Sequence, residues 1–558
     1  MSRALRGADI VAGALARAGV RRLFSLSGNQ IMVLYDAALD AGLGIVHVRH
    51  EGAAVHMADA WGRLTGEPGV ALLTGGPGHA NGVGALFNAL AAESPLVMLS
   101  GHAPLAELGT DTFQELRQAE VAAPLCKASW TAQSAATLGE DIARAVRIAK
   151  SGRPGPVHVS LPVDVIEARI SDVKGRIPDA PAFAAPANAL EARVAGAIVA
   201  ELGRAQRPVI LAGPSMAAGR GRELREALGA ATGVPVVFTE SPRGTADPAL
   251  GALPDLLPQA DLVVLLGRKL DFALRYGRPP AFGAQCRFIH IDPDAEALQR
   301  SAAAIGDTGR MLLSALADAL PAAQSLIAQA RRGFSGAPSL AAWAQAVQRA
   351  LEQRPADWAQ AGSRPNAVHP ARVGLAVRRA LEARPDAVFV GDGGEFGQWA
   401  MACANAGTRI SNGPGGGIGG SIPYAIAARL ARPDATVVAT LGDGSFGFHL
   451  AEYETAARHH APFVAVLGND ARWNAEHQIQ LRLYGEARAY GCQLLPARYD
   501  LAVAALGGHG EHVTRAEELD GAIERAIASG KPACVNVAIA PLAAPVLSRN
   551  SVPPGAAH

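Results

Sequence analysis

Residues 437–445 read Val-Val-Ala-Thr-Leu-Gly-Asp-Gly-Ser, a short apolar run that is partly β-branched and is followed at once by a glycine turn. This composition predicts a buried strand that ends at the turn. Small and apolar residues then recur at helical spacing, and residues 463–467 predict a second strand, which ends at Gly468-Asn469-Asp470. The stretch therefore predicts a strand, a crossover helix and a second, parallel strand, with an acidic residue after each strand.

Asp443 and Asp470 are expected to lie close together, because parallel strands joined by one crossover helix end at the same edge of a sheet. Glycine N–H groups at that edge can approach a phosphate. Two carboxylates can hold a hard cation such as Mg²⁺ that bridges phosphate oxygens. Gly-Asp-Gly alone is more often a simple turn. The whole spaced pattern instead favours a site for a diphosphate with its metal.

The chain has 558 residues, too many for one ordinary core, and 49% of them are apolar. Strands and helices alternate along it, which predicts an α/β fold with three doubly wound parallel-sheet domains at residues 1–173, 189–330 and 367–545. Residues 174–188, rich in Pro and Ala, predict a linker. Residues 331–365 predict a helical connector.

The balance of charge limits the kinds of partner that the protein could attract electrostatically. Lys and Arg number 51 against 50 Asp and Glu, so no positive field favours nucleic acid or an anionic membrane. Five scattered cysteines without metal spacing favour reduced thiols in a cytosol. The N-terminus predicts an amphipathic helix, and no stretch approaches the ~20 apolar residues of a membrane span. We expect a soluble, cytoplasmic protein with a flexible end at residues 553–558.

The Gly442-Asp443-Gly444 turn, the elements after it and Asn469-Asp470 resemble the thiamine diphosphate signature, a Gly-Asp-Gly spaced from an Asn-Asn pair. Over nearly its full length, the chain resembles the acetolactate synthase-like superfamily. That superfamily includes acetolactate synthases, oxalyl-CoA decarboxylase, 2-hydroxyacyl-CoA lyases and benzaldehyde lyase. Asp470 departs from the pattern, since it replaces the second Asn. An aspartate still offers an oxygen to a hard cation and adds negative charge, so we expect metal binding to persist or tighten.

The resemblance also implies domain roles and an assembly. Residues 1–173 would bind the pyrimidine and residues 367–545 the diphosphate, with a Rossmann-like domain at 189–330 between them. In the family the first and third domains meet across subunits, which implies a homodimer or homotetramer with active sites at the interface. Some relatives bind FAD or ADP in the central domain. This chain lacks a complete Gly-x-Gly-x-x-Gly there, which favours a structural domain and leaves FAD or ADP open.

Two residues match the family's catalytic positions. In the family a glutamate hydrogen-bonds the aminopyrimidine and favours its imino form, whose nitrogen acts as the base at C2 of the thiazolium. Glu51, in Arg49-His50-Glu51 at the end of a predicted strand, matches that glutamate. Gln114, in Phe-Gln-Glu, matches an active-site amide that could bind a substrate oxygen.

Further residues are assigned to the cofactor by the same resemblance. The pyrimidine would contact Thr74, Asn81 and the carbonyl of Gly416, with Ile418 as the apolar wedge that bends the cofactor. The diphosphate side comprises Glu395, Phe396, Gly442, Asp443, Gly444, Ser445, Asp470, Arg472 and Trp473. The metal would be held by the side chains of Asp443 and Asp470 and the carbonyl of Arg472.

Substrate choice is expected from residues near both sheet edges: Ser27, Asn29, Gln30, His79, His102, Gln398, Ala475 and Glu476. Gln30 replaces a small residue of acetolactate synthases and a histidine of benzaldehyde lyase. His79 and His102 stand where acetolactate synthases usually have Ala and Gln. Two histidines could relay protons at neutral pH, or could equally be satisfied polar residues in turns.

The resemblance implies an enzyme that uses thiamine diphosphate and Mg²⁺ to make or break a carbon–carbon bond next to a carbonyl. The first expectation is acetolactate synthase-like decarboxylation and carboligation of 2-oxo acids. The alternative is an aldehyde lyase of the benzaldehyde lyase type or a 2-hydroxyacyl-CoA lyase, whose matching stretch residues 274–280 resemble. A non-catalytic paralogue that binds the cofactor or a partner subunit would not need Glu51, Gln114 and Ile418. A nicotinamide dehydrogenase would need a phosphate fingerprint that is missing.

Overall fold

The computed structural model describes residues 4–171, 176–362, 367–404 and 406–549. Across these residues it contains three sheets whose strands all run parallel, together with one short antiparallel pair near the N-terminus. The prediction of an α/β fold with three parallel-sheet domains is confirmed. The predicted flexible end at 553–558 and the start of the predicted linker, 174–175, lie outside the described residues.

The chain forms two compact units. The first joins Met1–Pro186 to Ile422–Pro433 and His449–Ala461. The second comprises Ala187–Ser421, Asp434–Phe448 and Pro462–His558, and it contains both the central and the C-terminal sheets. Two segments from the C-terminal part of the sequence therefore belong to the N-terminal unit.

The N-terminal unit is built on a parallel sheet. Its elements up to residue 170 are β1 (Leu5–Arg6), α1 (Gly7–Arg17), β2 (Arg22–Ser25), α2 (Met32–Asp40), β3 (Gly44–His47), α3 (Glu51–Thr65), β4 (Gly69–Leu73), α4 (Pro77–Ala91), β5 (Leu96–His102), α5 (Gln118–Ala122), β6 (Ala128–Thr131), α6 (Leu138–Lys150), β7 (Pro156–Pro162), α7 (Val163–Glu167) and β8 (Arg169–Ile170). Strands β2 to β7 have the order β3-β2-β4-β5-β7-β6. Strands β4, β5 and β7 are buried throughout, as expected when helices cover both faces.

The start of α3 differs from the prediction. The sequence predicts Glu51 at the end of a strand, but β3 ends at His47 and Glu51 is the first residue of α3. The physical reason is a local cap, since the Gly52 N–H donates to Nδ1 of His50 at 3.0 Å. Glu51 is thus held at a helix N-terminus instead of a strand end.

The central sheet contains β9 to β13. Its elements and the helix that follows them are α8 (Ala192–Arg204), β9 (Pro208–Ala212), α9 (Gly219–Thr232), β10 (Val236–Phe238), α10 (Leu253–Leu256), β11 (Leu262–Leu266), β12 (Arg287–Asp292), α11 (Ala295–Ile305), β13 (Met311–Leu316), α12 (Ala319–Ala330) and α13 (Leu340–Glu352). The strand order is β10-β9-β11-β12-β13. Helix α13 lies within the predicted helical connector.

The C-terminal sheet contains β14 to β19. The elements of this part of the sequence are α14 (Pro370–Glu382), β14 (Val388–Gly391), α15 (Gly394–Cys403), β15 (Thr408–Ser411), α16 (Ser421–Ala431), β16 (Val437–Gly442), α17 (Asp443–Phe446), α18 (Glu452–Arg458), β17 (Val464–Asn469), α19 (Asn474–Tyr484), α20 (Tyr499–Ala505), β18 (His509–Val513), α21 (Leu519–Ala528) and β19 (Ala533–Ala538). The strand order is β15-β14-β16-β17-β19-β18. It places β16 and β17 at the centre of the sheet.

Strands β16 and β17 pair in parallel, with Gly442 opposite Gly468. Asp443 and Asp470 therefore both follow their strands at the carboxyl edge, as the sequence predicts. The connection is less regular than one crossover helix, because the helical residues divide between the short α17 and the separate α18. Asn469 is the last residue of β17 and not part of the turn.

Two further expectations bear on the chain as a whole. In the described ranges no helix combines the length and the apolar character needed to cross a membrane. The cysteines are all free thiols, four of them buried, and only Cys126 is partly exposed. Burial raises the pKa of the Cys126 and Cys403 thiols to about 12, so these side chains are inert packing groups.

Candidate active site

A cavity of about 210 Å³ lies at the carboxyl edge of the C-terminal sheet. It is lined by four glycine-containing segments and by the start of α19. The lining includes Gly416, which the sequence assigns to the pyrimidine, and every residue assigned to the diphosphate, the metal and the wedge: Glu395, Phe396, Ile418, Gly442, Asp443, Gly444, Ser445, Asp470, Arg472 and Trp473. Ala475 and Glu476, predicted to contact substrate, line the same cavity.

Asp443 and Asp470 form an acidic pair in this cavity. Burial raises the pKa of Asp443, and burial together with the charge of Asp443 raises the pKa of Asp470. The Oδ2 atom of Asp443 is buried and has no hydrogen-bond partner within the described part of the chain. Two desolvated carboxylates with an unsatisfied oxygen are the donor set that a hard divalent cation prefers. The residues present therefore fit a magnesium ion.

Glycine occupies the positions beside this pair for different physical reasons. A Cβ on Gly444 would lie 2.7 Å from the Trp473 ring, and one on Gly468 would lie 2.3 Å from the Phe396 ring. These two glycines are required by packing. A Cβ on Gly442 would meet nothing within 4 Å. The space beside Gly442, the last residue of β16, is open, which fits an approaching phosphate.

The glycine-rich loop before α16 is fixed by Asp392. This carboxylate is 1% exposed and accepts the Gly393 N–H at 2.7 Å, the Gly419 N–H at 3.1 Å and the hydroxyl of Ser421. Burial raises the pKa of Asp392, while these donors oppose the increase. The loop that presents Ile418 is therefore held by a residue to which the sequence analysis gave no function.

A second polar cluster lies at the carboxyl edge of the N-terminal sheet. Glu51, only 8% exposed, accepts a hydrogen bond from Nδ2 of Asn81 at 3.1 Å. A Cβ on Gly78 would lie 3.3 Å from Oε1 of Glu51 and 2.6 Å from the methyl group of Thr74. Glu51 and Thr74 thus flank Gly78, and Asn81 is hydrogen-bonded to Glu51. The start of α4 therefore brings together Glu51, Thr74 and Asn81, three of the residues predicted to face the pyrimidine.

Two amides extend this cluster. Nε2 of Gln30 donates to Oε1 of Gln114 at 2.6 Å, and the hydroxyl of Thr74 donates to Oε1 of Gln30. Gln114 has a φ of +60°, which costs energy for a residue with a side chain. A Cβ on Gly76 would lie 2.7 Å from the Gln114 carbonyl oxygen, so the backbone passes close by. The side chain of Gln114 is held by the hydrogen bond from Gln30, and its backbone lies against Gly76.

The two histidines predicted near the substrate are buried. Nδ1 of His79 lies 2.9 Å from the Ser100 hydroxyl, and burial followed by the charge of His102 lowers the pKa of His79 to about 4. Nε2 of His79 has no hydrogen-bond partner among the described residues. Nε2 of His102 lies 2.9 Å from the Leu116 carbonyl. His79 is therefore a neutral imidazole at physiological pH.

The remaining predicted substrate residues differ in environment. Ser27 is exposed, and its hydroxyl lies 3.0 Å from Nε2 of His47. Asn29 is exposed at the start of a short 3₁₀ turn. Gln398 is 3% exposed on α15, and its Oε1 atom lacks a partner within the described ranges. Gln398 does not line the cavity at the C-terminal edge.

Sequence reasoning missed two structural roles. Asn469, the first residue of the predicted pair, donates through Nδ2 to Asn536 at 3.1 Å and to the Ala497 carbonyl at 3.0 Å. Its side chain therefore ties β17 to neighbouring segments. Asp392 was visible as an acidic residue directly after a strand and before two glycines, which is the signal that could have suggested its capping role.

Comparison with known proteins agrees with this geometry. Three family models match the chain: "Thiamine pyrophosphate enzyme, N-terminal TPP binding domain" over residues 5–121, the central domain of the same family over 196–316, and its C-terminal TPP binding domain over 390–537. The chain belongs to the thiamine pyrophosphate enzymes. Thiamine diphosphate is its cofactor, and it is a carboligase or lyase of the acetolactate synthase and 2-hydroxyacyl-CoA lyase type. The non-catalytic alternative is not supported.

Individual relatives fall into two groups. A probable acetolactate synthase of Mycobacterium bovis is 34% identical over 543 residues, which cover 95% of this chain and 94% of the relative. The 2-hydroxyacyl-CoA lyase 2 of Bos taurus is 31% identical over 571 residues, covering 92% of this chain and 86% of the relative. The 2-hydroxyacyl-CoA lyase of Arabidopsis thaliana is 28% identical, with 96% of each chain covered. Similarity therefore extends over all three sheets.

Proposed function

We propose that this enzyme decarboxylates a 2-oxo acid and joins the remaining acyl carbon to an acceptor carbonyl, with Mg²⁺ as the cation of its thiamine diphosphate. The observation that carries the proposal is the acidic pair Asp443 and Asp470 beside open backbone at Gly442. The choice of reaction is supported by the likeness to a probable acetolactate synthase over 95% of the chain.

The bound thiamine diphosphate supplies a thiazolium carbon that accepts the electrons released when a bond next to a carbonyl breaks. Glu51 presents its carboxyl group at the pyrimidine edge, oriented by the amide of Asn81. Gln114 presents an amide to a substrate oxygen and is itself oriented by Gln30. Ile418 supplies apolar contact on the diphosphate side, on a loop held by Asp392.

The metal and the diphosphate share the C-terminal edge in this proposal. Asp443 and Asp470 supply carboxylate oxygens and Arg472 a carbonyl oxygen, while Gly442, Gly444 and Ser445 supply backbone or hydroxyl donors. The second carboxylate makes the site more acidic than an asparagine would. We therefore propose that the cation is bound at least as tightly as in a site with the usual Asn pair.

For the central domain we propose a structural role. Arg268, which follows the glycine turn after β11, is 5% exposed. Its Nε donates to Thr239 at 2.9 Å and its guanidinium pairs with Asp271 at 2.9 Å. An arginine engaged in this way is not presented to a phosphate. Absorbance and mass analysis of material released from the purified protein would reveal FAD or ADP and contradict this role.

We further propose a cytoplasmic homodimer or homotetramer with domains at 1–173, 189–330 and 367–545. Helix α19 and the residues after it expose large apolar side chains, among them Leu483, Tyr484 and Tyr490, which is typical of a surface that another subunit covers. Sedimentation equilibrium measures the assembly. A monomer with full activity would contradict it.

The alternative reaction is cleavage of a 2-hydroxyacyl-CoA or a benzoin, which is supported by likeness to the 2-hydroxyacyl-CoA lyases. Steady-state assays with pyruvate, benzoin and a 2-hydroxyacyl-CoA separate the candidates. We expect the highest kcat/KM with a 2-oxo acid and formation of a carboligation product. Preference for the acyl-CoA would favour the lyase, and full turnover without thiamine diphosphate would overturn both.

A further inference from the structure

The segment just before Glu51 is held by a helix from far along the sequence. Helix α18 (Glu452–Arg458) belongs to the same compact unit as β3 and α3. The Arg49 N–H donates to Oε1 of Glu452 at 2.9 Å. This bond ties the residue two positions before Glu51 to the helix.

Glu452 is itself held rigidly. It is 1% exposed, and the hydroxyl of Thr455 donates to its Oε2 at 2.6 Å. Burial raises the pKa of Glu452, and the backbone N–H groups of Arg49 and His50 oppose the increase because they hydrogen-bond its ionised form. A carboxylate that accepts an N–H just ahead of a helix also interacts favourably with the helix dipole.

Two residues at the C-terminal end of α18, Arg458 and His459, also hydrogen-bond the segment before Glu51. Nη2 of Arg458 donates to the His47 carbonyl at 2.8 Å, and the His47 N–H donates to Nε2 of His459 at 3.2 Å. Both backbone groups of His47 and the N–H of Arg49 are thus engaged. The loop between β3 and α3 therefore has little freedom, although Arg49 and His50 are exposed.

We propose that Glu452 is a positioning residue, which sets the position of the Glu51 carboxylate by fixing the backbone from which α3 starts. This inference rests on the role of Glu51 in the proposed function. Glu452 is well suited to the task, because one oxygen of its buried carboxylate accepts the Arg49 N–H and the other accepts the Thr455 hydroxyl. A glutamine has one acceptor oxygen and an NH₂ group, so it cannot offer a separate oxygen to each donor.

The test begins with cofactor-free protein. In a Glu452→Gln variant, hydrogen exchange of the amides at residues 49–51 is expected to accelerate by about 10- to 30-fold, the equivalent of one lost hydrogen bond. With saturating thiamine diphosphate and Mg²⁺, exchange of the cofactor's C2 proton is expected to slow by about 10- to 100-fold, since a small displacement of a reacting group has this effect. The affinity for the cofactor should stay unchanged.

Two further variants separate positioning from general stability. Asp59→Asn removes another buried carboxylate of α3, one that pairs with Arg63 at 2.6 Å. It should lower the melting temperature but leave both exchange rates unchanged. Thr455→Val keeps the Glu452 charge and removes only the hydroxyl that orients it. It should give a smaller change in the same direction, and it replaces Glu452→Gln if that variant does not fold.

The outcomes are distinguishable. Unchanged C2 exchange in Glu452→Gln, or in Thr455→Val if only that variant folds, would overturn the inference. Equal slowing in Asp59→Asn would overturn it as well, since the effect would then report general destabilisation. A Glu51→Gln variant measured in parallel tests the proposed function itself. If that variant exchanges C2 normally, the role of Glu51 is wrong whatever Glu452 does.

Discussion

The N-terminal and C-terminal sheets share one topology but differ in the chemistry at their carboxyl edges. Numbered from one in chain order, the parallel strands of both sheets have the order 2-1-3-4-6-5. The C-terminal edge carries the buried Asp443, the partly buried Asp470 and open space beside Gly442. The N-terminal edge carries one glutamate among neutral amides and a hydroxyl. Topology therefore fixes where each site lies, and a few side chains decide what it does.

This difference suggests a division of labour. We propose that the acidic edge binds a cation and a diphosphate, because both need fixed opposite charges or N–H donors. We propose that the neutral edge binds a heterocycle and positions a proton, because amides supply direction without a competing charge. The following experiments test that division, from the largest expected effect to the smallest.

The largest effect is expected at the N-terminal edge. Replacing Glu51 by Gln should slow exchange of the cofactor's C2 proton by about 10²- to 10⁴-fold, the usual contribution of a general acid–base group. Binding of thiamine diphosphate should change little, because the C-terminal edge is intact. Exchange is measured by NMR after acid quench, and binding by tryptophan fluorescence. Loss of binding with normal exchange would reverse the assignment of the two edges.

The next effect is expected at the C-terminal edge. Asp443→Ala should weaken binding of Mg²⁺ and thiamine diphosphate by about 100-fold, since an ion ligand and its charge are removed. Asp470→Asn is the matched control, because it restores the asparagine of the family pattern and keeps an oxygen ligand. Isothermal titration calorimetry measures both. Equal affinities of Asp443→Ala and the unmodified protein would remove this aspartate from the metal site.

Lowering the pH should reduce the folding stability of the N-terminal unit through its buried histidines. Burial lowers the pKa of His56 and of His449 to about 3. The unfolded chain takes up protons near pH 6.5 and the folded form does not, so stability falls as pH drops from about 6.5 towards 3. The expected loss is about 1.4 kcal/mol per pH unit for each such histidine.

As the pH falls, Asp392 at the C-terminal edge should change the folding stability in the opposite sense. Burial raises the pKa of Asp392, so the folded state holds its proton at a higher pH than the unfolded chain, and acid favours the folded form. Urea unfolding of cofactor-free protein between pH 7.5 and 4.5 measures the sum. The decline should be shallower in His56→Gln and steeper in Asp392→Asn. Parallel curves for all three proteins would contradict the assignment.

The smallest effect is expected at Gly442. A Cβ there meets nothing within 4 Å, so Gly442→Ala should change the unfolding free energy of cofactor-free protein by less than about 0.5 kcal/mol. It should nevertheless weaken cofactor binding if a phosphate uses that space. Gly444→Ala is the contrast, with an expected loss of about 1–3 kcal/mol from the clash with Trp473. Unaltered binding in Gly442→Ala would move the diphosphate elsewhere.

Much of the fold could be predicted from the sequence. The parallel sheets followed from buried runs such as residues 437–441, because strands covered on both faces contain almost only apolar residues. The strand ends at Gly442 and Asp470 predicted a site for a diphosphate with its metal, because both lie at one edge of a sheet. The cofactor class followed from the resemblance of this stretch to the thiamine diphosphate signature. Grouping of the diphosphate-side residues around one cavity was thus expected from topology.

Other features could not be predicted because they depend on contacts distant in sequence. Two examples are the hydrogen bond from the Thr74 hydroxyl to Gln30 and the one from the Arg49 N–H to Glu452. Each joins elements that local sequence patterns do not relate to one another. The position of Glu51 in a helix instead of a strand depends on a side-chain cap at His50.

The unsatisfied Oδ2 atom of Asp443 has a consequence for attempts to make the enzyme more robust. A buried acceptor without a partner costs about 1–3 kcal/mol, so the Oδ2 atom of Asp443 lowers the folding stability of the ligand-free protein. Replacing Asp443 by a residue that packs without charge would raise the heat resistance of ligand-free protein. It would also remove a carboxylate of the proposed metal site. Selection for thermal tolerance alone would then discard activity, a trade-off typical of functional sites. Directed evolution of this enzyme should therefore score heat resistance with cofactor bound.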